Sequence, residues 1–121
     1  MDHVMYDRPV LATGLMGATD IAKIVEPYFE RAYDHFSSHF QTPPARLTEY
    51  SAAAVKSRVA YSPYPLFSSF ARHANRPCRW LVEQMLDRLL PEPLIRVEAP
   101  TNTEATMTRQ AGRTIVHLLH Y

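Results

Sequence analysis

Apolar side chains at Cys78, Leu81, Val82, Met85, Leu86 and Leu89 recur at i, i+3, i+4, i+7, i+8 and i+11. That spacing lays one continuous stripe along an amphipathic α-helix. Asn75 stands where an N-cap is wanted, Pro77 falls in the first turn, and Pro91 with Pro93 closes the far end, so the pattern predicts a helix over 77–90. Beyond it the period changes. Leu94–Val97 reads as extended, and Thr103–Arg109 and Thr114–Tyr121 flank a Gln110-Ala111-Gly112 turn, which predicts a C-terminal β hairpin.

The first half is punctuated by proline. Val10-Leu11-Ala12 after Pro9 suits a short buried strand. From Asp20 two readings compete. Ile21, Ile24, Val25, Tyr28, Phe29, Ala32 and Phe36 carry helical spacing, but Pro27 would sit inside that helix, removing a donor and clashing with the preceding turn. A strand over Ala22–Val25 that breaks at Glu26-Pro27 is the favoured reading. Gln41–Tyr50, with Pro43-Pro44 and no apolar period, reads as a loop. Ala52–Val55 and Arg58–Tyr61 about Lys56-Ser57 read as a hairpin, and Leu66, Phe67 and Phe70 open a short helical stretch.

These elements predict an α/β fold, a partial open sheet with covering helices followed by the hairpin, with α+β as the alternative. The last strand has apolar residues on both faces (Ile115, Val116, Leu118, Leu119), as in a sheet covered on both sides. A chain that stops within such a strand leaves an open edge, so a truncated parent or pairing with another copy is expected.

Composition narrows the function. Thirteen Lys and Arg against twelve Asp and Glu leave a formal charge of +1, without the one-sided basic excess that nucleic acid or anionic membrane requires. One cysteine, Cys78, excludes an internal disulfide, and no apolar run approaches the length of a membrane span. The first residues lack a signal-peptide layout, so cytoplasm is the expected address. No phosphate-binding glycine loop or Gly-x-Ser-x-Gly elbow is present, and no cofactor is expected. Glu26, Glu30, Asp34, Glu49, Glu83 and Asp87 look like solvated faces rather than a carboxylate pair across a cleft.

The densest chemistry lies between Pro27 and Pro44. Three readings stay open there. His35 and His39, four apart, would share a helix face and could begin a metal site, with His73 or Cys78 as a third ligand. Tyr28, Arg31, Tyr33, His35, His39 and Gln41 could line a sugar site, because aromatic faces stack on sugar C–H surfaces while planar polar groups meet hydroxyls. Alternatively Tyr28, Phe29, Tyr33, Phe36 and Phe40 wedge into a core. Cys78, on the apolar stripe, reads as a buried small residue, and His117 and His120 as structural.

The word Pro-Tyr-Phe-x-Arg-x-Tyr-x-His-Phe-x-Ser-His-x-x-Thr-Pro from Pro27 to Pro43 resembles a segment of large glycoside-hydrolase-like proteins with a β-galactosidase trimerisation-type middle domain. Val59–Phe67, Leu89–Leu94 and Val116–Tyr121 resemble later segments of the same proteins, in the same order. The resemblance implies that residues 1–92 form the end of a glutamine-amidotransferase-like α/β domain without amidotransferase chemistry. Residues 93–121 would then open a small β domain. It places the acidic catalytic residues in a separate barrel, so this chain would be a non-catalytic accessory or oligomerisation segment. Its partners would be further copies or the parent catalytic domain, with carbohydrate as a possible ligand. The family's word carries Cys where this chain has Ser37, so no thiolate role is implied there.

Overall fold

A computed structural model describes residues 3–13, 16–38 and 42–121. The chain divides into two compact units, Met1–Pro91 and Glu92–Tyr121. Strands predominate, both sheets are antiparallel, and two helices complete a mixed α and β molecule of the α+β kind.

The first unit is organised by a long hairpin. β1 (Thr19–Pro27) pairs with β2 (Pro44–Lys56), and β3 (Val59–Tyr61) adds to the other side of β2. The break at Pro27 is therefore real, and the strand it ends extends further back than the expected Ala22–Val25. Two expectations fail. Val10–Ala12 forms no strand, and Val10 and Leu11 are exposed. Pro44–Tyr50 is strand rather than loop.

The second failure has a physical cause. Ala45, Arg46 and Leu47 are all exposed, so no buried face imposes alternation on them. The ladder is also interrupted. Lys23 faces Ser51 and Val25 faces Leu47, so β2 carries extra residues between those pairs. Such a bulge bends its strand and leaves backbone groups unpaired. Thr48 repairs it. The buried hydroxyl donates to the Ile24 carbonyl at 2.8 Å and accepts from the Tyr50 N–H at 3.2 Å.

At the opposite end of β2, Ser57 and Arg58 turn the chain into β3. Ser57 has φ 52°, and it alone of the two central residues is positive, the signature of a type II′ hairpin turn. Beyond β3, Ser62 donates to the Ala52 carbonyl at 2.9 Å and redirects the chain into α1 (Leu66–His73). Ala74 then takes a left-handed conformation, φ 49° and ψ 33°, before α2 (Arg76–Leu89). This geometry suits glycine. Ala74→Gly should therefore raise stability by about 0.5–1 kcal/mol in thermal unfolding, since the relief of strain exceeds the added freedom of the unfolded chain.

The stripe read along the second helix faces the interior from Cys78 to Met85. Cys78 and Leu81 are buried against Ala53 and Leu66, with Val82 and Met85 packed alongside. Ser51, Ala52, Ala53 and Ala54 are small and buried, so a helix can lie close on the strand that carries them. Asn75 precedes α2 as expected, but its side chain makes no cap bond. It donates instead to the Val4 carbonyl at 3.1 Å. The N-terminal segment is held on the helices further by Tyr6 against His73 and by an Arg72–Asp7 ion pair at 2.6 Å.

In the second unit β4 (Thr103–Gln110) pairs with β5 (Arg113–His120) through the full register from Thr103/His120 to Gln110/Arg113. Gly112 takes φ 77° in the turn, as the sequence predicted for a hairpin at this point. Val116, Leu118 and Leu119 of the last strand are exposed, so its apolar residues stand uncovered among the described residues. His120 is not isolated: its ring nitrogens lie 3.2 Å from Thr103 Oγ1 and 3.5 Å from Asn102 Nδ2.

Candidate functional surfaces

The connection between β1 and β2 contains the dense stretch of the sequence. Residues 28–38 form no helix. His39 and Gln41, as well as Phe40, lie outside the described residues. Among the described residues no three His, Cys, Asp or Glu side chains gather as a metal site. Cys78 is sealed in the core and His73 lies against Tyr6, so neither is brought to His35 as a ligand.

The aromatic side chains do not wedge into the core. Tyr28 is 76% exposed, Tyr33 97% and Phe36 74%. Phe29 is half-buried and joins two neighbours: Tyr28 stands edge-on to it at 6.1 Å, and the His35 ring tilts against it at 6.2 Å. The structure thus brings Tyr28 and His35 together through Phe29, with Tyr33 and Arg31 exposed in the intervening chain.

The loop is tied at several points. Tyr28 N–H donates to the Pro43 carbonyl at 2.8 Å, and Thr42 Oγ1 donates to the Phe29 carbonyl at 3.0 Å. Ala32 and His35 exchange reciprocal backbone bonds of 2.7 and 3.2 Å, and Arg8 pairs with Glu30 at 2.6 Å. At the base of the loop, Arg46 reaches Glu26 at 2.7 Å.

A second surface lies at the other end of β2. β3 pairs only with β2 among the described residues. The two-residue turn makes Lys56 and Val59 the pair that exchanges both backbone bonds, so the next pair, Val55 and Ala60, exchanges none. The N–H and C=O of Ala60 therefore point outward along the open edge. Beside that edge runs a groove of about 390 Å³ whose lining includes Ala60, Tyr64, Leu66, Phe67, Met85, Leu86 and Leu89. Burial in this wall holds the Tyr64 phenol above its usual range. Phe67 and Leu86 remain exposed. Sequence reading placed Leu86 and Leu89 on a core-facing stripe and did not see a surface there. The available signal was the width of that stripe, which continues past the residues the core encloses.

At the start of β1 Asp20 accepts from Ser51 and pairs with Lys23 at 2.8 Å. The Lys23 ammonium, then the Ser51 hydroxyl, holds the Asp20 carboxyl below its usual range. A carboxylate whose pKa is lower folded than unfolded stabilises the fold above its unfolded pKa, and that contribution is lost as pH falls through the folded value. Acid titration of stability should therefore show a loss beginning at the ordinary carboxylate range, and Asp20→Asn should flatten that part of the profile.

No helix of the described residues is long and apolar enough to cross a membrane. Comparison with family models, with curated proteins and with solved structures finds no match to this chain.

Proposed function

We propose that this chain is a non-catalytic accessory segment that oligomerises, within a glycoside-hydrolase-like protein of carbohydrate metabolism. The observation that carries the reading is the β3 edge. Ala60 directs an unpaired donor and acceptor outward, immediately beside an apolar groove with exposed Phe67 and Leu86. An edge of this kind is a template for another strand, and an adjoining apolar trough supplies area for that strand's side chains. Two copies related by a two-fold axis through Ala60 would pair β3 with β3 antiparallel, each supplying the same patch.

On this reading the small sheet of the first unit is part of a larger open sheet completed by its neighbour, as the resemblance to the amidotransferase-like domain implies. The resemblance also supplies the carbohydrate context, through the motif at Pro27–Pro43. Light scattering on a size-exclusion column tests the reading. The expected mass is at least twice that of one chain, falling on dilution. A monomer at every concentration would overturn it.

A further inference from the structure

We infer that the loop joining β1 to β2 is a contact site for a neutral oligosaccharide, with Tyr28 and Tyr33 as its stacking platforms. Three large aromatic side chains, Tyr28, Tyr33 and Phe36, stand mostly in water within one loop. Single exposed apolar residues need no explanation, but three such rings within nine consecutive residues of one loop point to a partner. Residues 28–38 are also tied in place. The two ties across its base, the reciprocal Ala32–His35 pair and the Arg8–Glu30 bridge fix the backbone that displays the rings. A platform ordered before its ligand arrives loses less freedom on binding.

The chemistry of the ligand follows from what surrounds the rings. The formal charges balance, Arg8 and Arg31 against Glu30 and Asp34, with Arg8 meeting Glu30 at 2.6 Å. No net field remains from these pairs to select an ion, which favours a neutral partner. The rings stand out in solvent, whereas an apolar peptide anchor needs a walled, desolvated pocket. A sugar ring fits these conditions. It offers a flat C–H face to an aromatic ring and an edge of hydroxyls to phenol, imidazole and guanidinium groups. The Tyr28–Phe29–His35 chain, with centroids 6.1 and 6.2 Å apart, sets ring and polar edge side by side.

This inference is independent of the assembly proposed above. The loop adjoins Pro44, while β3 pairs with Ala54–Lys56, roughly 30 Å further along β2 at an ordinary strand rise. Amide-resolved NMR titration of the full chain with neutral gluco-, galacto-, xylo- and manno-oligosaccharides tests it. At least one should give saturable shifts confined to residues 28–38. Tyr28→Ala and Tyr33→Ala should each weaken that binding about tenfold with melting unchanged, because both side chains are exposed. The inference is overturned if no sugar gives saturable shifts, if the shifts fall on the β3 groove, or if both variants bind like the parent. A clear preference for acidic over neutral sugars also overturns it. So does an apolar peptide that shifts these amides when every sugar fails.

Discussion

Replacing Leu81 with alanine should cost the first unit about 3 kcal/mol, the largest single loss in the molecule. The reason is the smallness of the core. Its four central residues are Ala53, Leu66, Cys78 and Leu81, and two of those have little volume. Leu81 supplies much of the bulk between α2 and the sheet, and its neighbours on β2 are alanines that cannot expand to fill the space. A cavity left by partial collapse therefore adds to the lost transfer energy. Against a typical stability of about 5–15 kcal/mol, such a change is a large fraction of the whole. Urea unfolding followed by the fluorescence of Trp80, the sole tryptophan, reports on this unit alone. The midpoint should fall with the slope unchanged. A loss under about 1 kcal/mol would show that the site closes over and that the core is not organised around this residue.

The second large effect concerns association. Ala60→Pro should abolish the assembly and leave the monomer folded. Proline removes an N–H that points to the open edge and makes no bond within the β2–β3 ladder, and an edge strand is where proline is tolerated. In light scattering the variant should run as a single chain at concentrations where the parent associates. Circular dichroism should show the same melting for both. Leu86→Lys provides a second route to the same result, since a charge in the groove opposes burial without touching the backbone. If both variants associate like the parent, the interface lies elsewhere.

How much of this was legible in the sequence depended on burial. The Cys78–Met85 part of the stripe was legible because that face of α2 is enclosed, and the terminal hairpin because Gly112 marks its turn. The first half of β2 was invisible for the converse reason. Its exposed residues at 45–47 and the bulge around Thr48 erase the period of two on which a strand is recognised. In the β1–β2 loop the setting of the side chains was not legible. Tyr28, Phe29 and His35 do cluster, yet through a non-helical loop held by backbone bonds, which no side-chain spacing encodes. The β3 edge was beyond reach because an outward-facing Ala60 has no compositional mark.

The hydroxyl of Thr48 has a wider consequence. It pins the hairpin at the bulge, with the helices packed on the portion towards the turn and the aromatic loop on the portion beyond. The enclosed core residues of β2 lie on the far side of Thr48 from the loop, so changes at Tyr28 or Tyr33 should add independently to those in the core. A lineage could remodel what the tip touches, residue by residue, while the fold that carries it stays the same.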